Sequence, residues 1–372
     1  MHEEEELKIG IDASRAFVKN RTGIEEYSYQ VIKHLREHLK GQQVILYTRP
    51  GGDEQVDFKL PKNWQVKILP WKYIWTQVGL SLELLFNPVD ILFVPAHTLP
   101  VIHPRRSYVT VHGLEYELDP KSYSFYSRLF HRFFVKKSCR WAEKIVAVSE
   151  KTKQDLIDLY KVPQDKIVVI GNGFDKAKED KHDKQKIKHK NIIPLERFLF
   201  FIGRLEERKN IVGIIKAFEI LKEKYNYPGK LLLGGGPAYG YEEIRQAIKQ
   251  SPVKKDIQEL GFVSEEDKWK YFSKADLFLF PSLFEGFGIP ILEAQSVGVP
   301  VVTSNREPMK GVAGDKRILV NPENPQEIAK VANKILTDGE LKKDIVERGL
   351  KNIKRFSWQK SAEKIGKILI KE

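Results

Sequence analysis

The sequence alternates short, almost uninterrupted apolar runs with segments of helical periodicity, and this alternation limits the folds open to the chain. Lys8–Asp12 is the first apolar run; a helical pattern follows from Ile24 to Leu39, and a second run begins at Val44–Tyr47. A strand that is covered by helices on both faces has a continuous apolar sequence of this kind. The opening therefore predicts a β-α-β unit of a parallel sheet.

The alternation continues in two series separated by a charged tract. The first series predicts strands at Ile91–Val94, Ser107–His112, Lys144–Val148 and Ile167–Ile170. The second predicts strands at Phe198–Gly203, Lys230–Leu233, Leu277–Phe280 and Val299–Thr303, with helices at Asn210–Tyr225, Tyr241–Gln250 and Pro290–Val297. The fold class is therefore α/β, with two Rossmann-like, doubly wound parallel sheets in succession.

Chain length also favours two domains, because 372 residues exceed what one hydrophobic core usually serves. The tract from Asp175 to Asn191 mixes charges of both signs and has few apolar residues, so it predicts a linker. A nucleic-acid-binding tail is the alternative interpretation. We place the first domain at residues 1–175, the linker at 176–196 and the second domain at 197–356.

Charge and cysteine content indicate partners and compartment. The net charge of +13 favours anionic partners, namely phosphates, nucleic acid or an acidic membrane leaflet. Cys139 is the single cysteine, which excludes an intrachain disulfide and fits a reducing cytoplasm. The sequence has no apolar window long enough to span a bilayer and no signal-peptide pattern, so we expect a cytoplasmic protein.

Two loops after predicted strands carry the chemistry. In the first, a strand ends at Gly203 and is followed by Arg204 and Lys209 just before a helix, a setting that suits a diphosphate. In the second, Pro281–Ala294, glycines allow a tight backbone and two glutamates, Glu285 and Glu293, stand eight residues apart. These carboxylates are able to accept hydrogen bonds from sugar or ribose hydroxyls. Favourable charge at a helix start is the alternative for Glu293.

On these motifs the sequence resembles the retaining glycosyltransferases of family four, which have the GT-B fold. The matching C-terminal motifs are Gly203–Asn210, Glu285–Glu293, Gly298–Ser304 and Ala313–Asp315. The matching N-terminal features are Gly23, Pro95–His97, Val109–Gly113, Ala147–Glu150 and Gly171–Asp175. The resemblance implies two Rossmann-like domains facing across a cleft, with a helix at residues 357–372 returning to the first domain.

The resemblance also implies a role for each matched residue. Arg204 and Lys209 would neutralise the donor diphosphate, Glu293 would bind ribose, and Glu285 would hold the donor sugar. His112 would lie beside the transferring carbon from the opposite domain, so the implied catalytic set is His112, Glu285, Arg204 and Lys209. The implied donor-binding set is Gly23, Gly203, Arg204, Lys209, Val263, Glu285, Gly286, Phe287, Gly288, Ile289 and Glu293.

The implied reaction uses a nucleotide-diphosphate sugar, either GDP-mannose or a UDP-sugar, and neither cofactor nor metal. Consistent with this, no Asp-x-Asp stands in a suitable loop to hold a divalent ion. Two positions depart from the family pattern: Gly113 follows His112 where an aspartate is frequent, and Gly311 stands where an acidic residue is frequent.

The acceptor side carries two stretches in which aromatic and basic residues alternate. Ser122–Lys137 predicts a helix with an aromatic side and a basic side, and Trp71–Trp75 is a second cluster. We expect peripheral contact with an anionic membrane and a glycan or lipid-linked acceptor; burial of the aromatic side in the core is the alternative. The competing functions are a nucleic-acid-binding protein, a sugar-nucleotide binder without turnover, and a phosphorylase or epimerase. We expect no nucleic acid as a partner.

Overall fold

The computed structural model describes residues 6–19, 21, 23–71, 73–175 and 196–370. These residues form two compact units. The first reaches to Gly173 and resumes at Phe356, and the second spans Phe174–Arg355. Of the predicted linker at 176–196, all but Glu196 lies outside the described residues.

The first unit is built on a parallel sheet with helices between its strands. In the described part of the chain the sheet has the order β3-β2-β1-β4-β5-β6-β7. Its strands are β1 (Lys8–Asp12), β2 (Gln43–Thr48), β3 (Trp64–Ile68), β4 (Ile91–Val94), β5 (Arg106–Val111), β6 (Lys144–Ala147) and β7 (Ile167–Val169). Its helices are α1 (Gly23–Leu35), α2 (Ser81–Phe86), α3 (Glu115–Leu118), α4 (Phe125–Trp141), α5 (Glu150–Tyr160) and, at the C-terminal end, α13 (Trp358–Ile370).

The second unit repeats this architecture. Over the described residues its parallel sheet has the order β10-β9-β8-β11-β12-β13. The strands are β8 (Phe198–Ile202), β9 (Lys230–Gly234), β10 (Ile257–Gly261), β11 (Leu277–Phe280), β12 (Val301–Ser304) and β13 (Leu319–Val320). The helices are α6 (Ile211–Glu223), α7 (Tyr241–Gln250), α8 (Glu265–Lys274), α9 (Ile289–Ser296), α10 (Met309–Ala313), α11 (Pro325–Thr337) and α12 (Gly339–Asn352).

Buried apolar residues cover both faces of the first sheet. In β4, Ile91 and Phe93 pack into one core cluster, while Leu92 and Val94 pack into another. Successive strand residues point to opposite faces, so a strand that is apolar at every position serves two cores. This explains why the uninterrupted apolar runs of the sequence are central strands. Two doubly wound parallel sheets of this kind confirm the predicted fold class.

The last helix, α13, packs on α1 within the first unit. The Trp358 ring lies 5.8 Å from that of Tyr27, and Ile365 and Leu369 belong to the same core cluster as Leu35. The Ser361 hydroxyl donates to the carbonyl of Gly171 at 2.8 Å, close to the end of the unit's first segment. Helix α13 thus contributes to the core of the first unit.

Several predicted element bounds are corrected by the structure. The first helix ends at Leu35 rather than Leu39, and β12 begins at Val301 rather than Val299. Strands β3 and β10 are absent from the prediction because their sequences, Trp64–Ile68 and Ile257–Gly261, place polar or charged residues among the apolar ones. Both are edge strands of their sheets, where one side of the strand has no neighbour.

The aromatic residues toward the start of α4 are exposed rather than buried in the core, whereas Phe134 is half-buried and Trp141 packs partly against the core. Phe125, Tyr126 and Phe133 keep 73%, 82% and 53% of their surface exposed, whereas Val135 and Cys139 further along the helix are buried. Burial raises the pKa of the Cys139 thiol to about 12, as suits an unreactive core residue. In the second aromatic cluster Trp75 is buried, and its indole donates to the carbonyl of Leu69.

Within the described residues no helix has both the length and the apolar composition that a membrane crossing requires.

Candidate functional site

Three glycine-containing loops meet at the carboxyl edge of the second sheet. The amide of Gly203, after β8, donates to Gly234 O at 3.0 Å, and the amide of Gly235 donates to Gly261 O at 2.7 Å. A Cβ atom at Gly235 would lie 1.8 Å from the carbonyl oxygen of Gly203, so only glycine fits there. Val263 borders the same loops, since its Cγ2 lies 3.1 Å from where a Cβ of Gly234 would be. In open α/β sheets this edge is where ligands bind.

Lys209 is positioned by a short 3-10 helix and an asparagine anchor. The 3-10 helix Glu207–Lys209 is followed by Asn210, which has a φ of 59° in the left-handed region. The Asn210 amide donates to Pro281 O at 3.1 Å and to Pro322 O at 2.6 Å. The side chain thereby ties the loop after β8 to the loop after β11, which carries Glu285.

Lys209 and Glu285 form a buried ion pair. The Lys209 ammonium donates to Glu285 Oε1, and Arg208 Nη1 lies 3.3 Å from Glu285 Oε2. Burial opposes ionisation of Glu285, but the charges of Lys209 and Arg208 outweigh it and hold the pKa of that carboxyl below its usual value. Burial also lowers the pKa of Lys209, against the opposing effect of Glu285. An anionic carboxylate is therefore held beside two cations.

Arg204 belongs to the same network through Glu206. Arg204 Nη2 lies 3.3 Å from Glu206 Oε2, and Arg208 Nη2 lies 2.6 Å from Glu206 Oε1. The side chain of Glu206 is 4% exposed, whereas that of Arg204 is 73% exposed. The arginine is thus paired with a buried carboxylate while most of its side chain is exposed to solvent.

Glu293 lies in a different ionic environment. Gly288, with a φ of 110°, precedes α9, and Pro290 occupies its first turn. Glu293 Oε1 accepts from Lys268 Nζ of α8 at 2.7 Å, and both side chains are largely buried. The two glutamates of the eight-residue spacing therefore have different cationic partners.

In the first unit His112 stands just past the end of β5. Its Nε2 lies 2.8 Å from the carbonyl oxygen of Pro95, which accepts only, so Nε2 carries the proton. Burial lowers the pKa of His112 to about 4, so the ring is neutral at pH 7 and Nδ1 is a hydrogen-bond acceptor. The Tyr27 ring packs edge-on at 4.6 Å and His97 lies at 5.3 Å, with a left-handed φ of 44°.

The other predicted residues lie as follows. Gly23 is the first residue of α1, and a Cβ there would meet no atom within 4 Å. Gly286 and the buried Phe287 lie in the loop after β11, and Ile289 is the first residue of α9. Lys209 and Glu285 are brought into direct contact. His112 and Gly23 belong to the first unit, and the remaining predicted residues belong to the second.

The sequence predicts no role for three charged residues that the structure places in these ion pairs: Arg208, Glu206 and Lys268. The first two lie inside the Gly203–Asn210 motif at positions that the motif leaves unspecified, so only their contacts indicate a role. Lys268 is 25 positions before its partner Glu293, and no local pattern links them. Among the residues described, no group of three or more His, Cys, Asp or Glu side chains has the arrangement of a metal site.

Two family models match the chain in succession. Residues 21–178 match the model described as Glycosyltransferase Family 4, and residues 183–352 match the model described as Glycosyl transferases group 1. The two matches cover most of the chain and follow one another in the same order as the two units.

Curated relatives include several mannosyltransferases. The chain is 31% identical to the O-antigen chain mannosyltransferase B of Escherichia coli over 59% of this chain and 58% of that protein. It is 29% identical to the serotype-specific mannosyltransferase WbdA of Escherichia coli over 63% of this chain and 29% of that protein. These matches thus span little more than half of the first protein and under a third of the second. The O-antigen chain mannosyltransferase RfbU of Salmonella typhimurium is 24% identical over 94% of this chain and 96% of that protein.

Solved structures share the fold over nearly the whole chain. Sucrose-phosphate synthase from Thermosynechococcus elongatus has a TM-score of 0.69 at 17% identity, covering 97% of this chain and 98% of that one. HepE of Anabaena, solved with UDP-glucose, has a TM-score of 0.68 at 17% identity, covering 96% and 98%. With both halves matched by family models and the GT-B fold shared throughout, the chain belongs to the glycosyltransferases of family 4.

Proposed function

We propose that this chain is a retaining, metal-independent hexosyltransferase that moves a sugar from a nucleotide-diphosphate donor to a glycan or lipid-linked acceptor. GDP-mannose is the preferred donor in this proposal, because several curated relatives are named mannosyltransferases. UDP-glucose is the second candidate, because HepE, which shares the fold, is solved with that molecule.

The observation that carries the proposal is the cationic cluster at the carboxyl edge of the second sheet. Lys209 and Arg208 flank Glu285, and the exposed guanidinium of Arg204 lies on the same network. Cleavage of a sugar-nucleotide bond leaves negative charge on phosphate oxygens while the sugar gains positive character. Cations that reach those oxygens, assigned here to Lys209 and Arg204, stabilise the transition state more than the ground state, which is the role that a divalent ion has in metal-dependent transferases.

Glu285 and His112 are assigned to the sugar. An ionised Glu285 accepts hydrogen bonds from donor-sugar hydroxyls, and its negative charge also favours the positive character that the sugar develops. A neutral His112, with Nδ1 as acceptor, binds a hydroxyl without adding positive charge. Glu293 is assigned to the ribose hydroxyls.

Donor choice is tested by calorimetry and thermal shift with GDP, UDP and ADP and with their sugars. We expect GDP and GDP-mannose to raise the melting temperature, because a ligand that binds the folded state alone stabilises it. Turnover with EDTA present should equal turnover without it, and NMR of the product should show the anomeric configuration of the donor. Failure of all three nucleotides to bind would refute the proposal, and a response to UDP alone would reassign the donor.

We further propose that the protein is cytoplasmic and that α4 binds it peripherally to the inner face of an anionic membrane. Phe125, Leu129 and Phe133 recur at four-residue spacing, so they share one face of the helix, and all are more than half exposed. Lys137 lies over the Phe133 ring at 5.7 Å, so basic charge borders the apolar face. An exposed apolar face bordered by cations is typical of helices that lie in the interface of anionic bilayers.

A triple variant in which Phe125, Leu129 and Phe133 are each replaced by serine is expected to bind phosphatidylglycerol vesicles at least about tenfold more weakly in sedimentation. Each substitution removes roughly 1 kcal/mol or more of the free energy gained when the side chain is buried in the interface. Leu350→Ser, at an exposed position of α12, is the matched control and should bind as the wild type does. Equal binding of the triple variant and the wild type would remove the proposal, and so would wild-type binding that is as strong with neutral vesicles.

A further inference from the structure

Arg208 bridges the two buried carboxylates of the candidate site. Its Nη2 lies 2.6 Å from Glu206 Oε1, its Nη1 lies 3.3 Å from Glu285 Oε2, and the same Nη1 donates to the carbonyl of Phe284. Its own carbonyl accepts from the amide of Leu283 at 2.8 Å. Side chain and backbone of Arg208 thus both hold the loop on which Glu285 lies.

The charges of the network explain what this bridge does. Arg204, Arg208 and Lys209 supply three positive charges, and Glu206 and Glu285 supply two negative ones. If Lys209 were the sole partner of Glu285, turning its ammonium toward a diphosphate would leave a buried carboxylate uncompensated, which is strongly unfavourable. Because Arg208 also pairs with Glu285, the carboxylate keeps a cation when Lys209 turns to another anion.

Glu206 in turn keeps Arg208 in place. A guanidinium has a fork of N–H groups and is able to contact two carboxylates at once, which a lysine ammonium does less well. The buried Glu206 takes one edge of the fork and directs the other toward Glu285. Arg208 is less exposed than Arg204, with 21% of its side chain accessible against 73%, so it is the less suited of the two to contact a ligand directly.

We infer that Arg208, held by Glu206, is a positioning residue that keeps Glu285 ionised and in place for the donor sugar while Lys209 binds the diphosphate. This inference rests on the proposed function. It separates two tasks in the site: Lys209 and Arg204 determine affinity for the nucleotide diphosphate, whereas Arg208 and Glu206 act on the sugar through Glu285.

The test compares nucleotide affinity with turnover in Arg208→Gln, Arg208→Lys, Glu206→Gln and the double variant Glu206→Gln/Arg208→Gln. Calorimetry measures binding of GDP and UDP, which lack the sugar, and nucleotide release from GDP-mannose or UDP-glucose gives kcat. We expect Arg208→Gln to keep nucleotide affinity within about threefold and to lower kcat about tenfold to a hundredfold. Arg208→Lys should recover part of the loss. Arg245→Gln, an exposed arginine paired with Glu242 on α7, is the matched control.

The double variant decides whether Glu206 acts through Arg208. If it does, Glu206→Gln lowers kcat less than Arg208→Gln does, and the double variant is no worse than Arg208→Gln. Additive losses, an unchanged kcat in Arg208→Gln, or an equal loss of nucleotide affinity and kcat would each overturn the inference.

Should Arg208→Gln fail to fold, Arg208→Lys and Glu206→Gln must still show reduced kcat with unchanged nucleotide affinity. A wild type that binds neither nucleotide overturns the proposed function itself, whereas a normal wild type with an unaffected Arg208→Gln overturns this inference alone.

Discussion

Replacing Lys209 with methionine is expected to lower donor turnover about tenfold to a hundredfold, because it removes a charge-assisted contact worth roughly 1.5 to 3 kcal/mol. Methionine keeps most of the apolar stem of the side chain and removes the ammonium, which lies 5.1 Å from the centroid of the Phe280 ring. Affinity for the nucleoside diphosphate should fall together with turnover, because the proposed function assigns Lys209 to the phosphates and not to the sugar. This joint loss distinguishes Lys209 from Arg208.

The fold of the Lys209→Met variant should survive. Removing one partner of a buried ion pair commonly destabilises a protein by about 3 to 5 kcal/mol, since a charge is left uncompensated. Here Glu285 retains Arg208 at 3.3 Å, so we expect a smaller loss of unfolding free energy. Urea denaturation measures that loss, steady-state kinetics measure donor turnover, and calorimetry measures the affinity for the nucleoside diphosphate. Lys216→Met, at an exposed position of α6, is the control. A Lys209→Met enzyme with wild-type turnover would contradict the phosphate assignment.

Arg204→Ala should also lower donor turnover and nucleotide affinity, but by less than Lys209→Met does. The Arg204 side chain is 73% exposed, and contacts in a high dielectric contribute less than buried ones.

The sequence predicts the central strands well because they are buried on both faces. Lys8–Asp12, Ile91–Val94 and Leu277–Phe280 are strands with the predicted bounds. An apolar run can be read without knowledge of the neighbours, since each of its residues meets a core. In the edge strands β3 and β10, the chain instead places polar residues toward solvent, and the pairing partner in the sheet, not local composition, makes the segment a strand.

For the candidate site, the sequence identifies individual residues better than their contacts. Arg204, Lys209, Glu285 and Glu293 can be named from motif spacing. The pairing of Lys209 with Glu285 joins residues 76 positions apart and depends on β8 and β11 being neighbours in the sheet. The assignment of Lys268 to Glu293 depends likewise on the packing of α8 beside α9. Charged side chains have many possible partners in a sequence, and only the tertiary structure selects among them.

The exposure of α4 shows a similar limit of what the sequence can predict. The amphipathic pattern of Phe125–Trp141 fits both an interfacial helix and a core helix, because each has one apolar face. The apolar positions divide along the helix axis: the exposed aromatic side chains cluster toward the start, and the buried Val135 and Cys139 lie toward the end. Periodicity measures direction around a helix and not position along it, so this division is invisible in the pattern.

The free energy of unfolding is expected to fall by about 2 kcal/mol between pH 7 and pH 5 through His112. Burial lowers the pKa of this histidine from 6.5 to about 4, so at pH 5 the unfolded chain is protonated there while the folded chain is not. The unfolded state thus binds more protons between pH 6.5 and pH 4, and stability rises with pH across that window. His97, whose pKa is also lowered by burial, adds an effect of the same sign.

His112→Asn isolates this contribution. Asparagine keeps an N–H group that can donate toward the Pro95 carbonyl but does not titrate, so the variant should lose about 2 kcal/mol less than the wild type between pH 7 and pH 5. Urea denaturation at the two pH values gives the difference, and an NMR titration of the His112 ring gives its pKa directly. The comparison uses the change with pH and not absolute stability, because the substitution also removes the edge-on contact with Tyr27. Equal pH dependence in variant and wild type would mean that His112 is not buried as a neutral ring, and its assignment as a hydroxyl-binding acceptor would then be wrong.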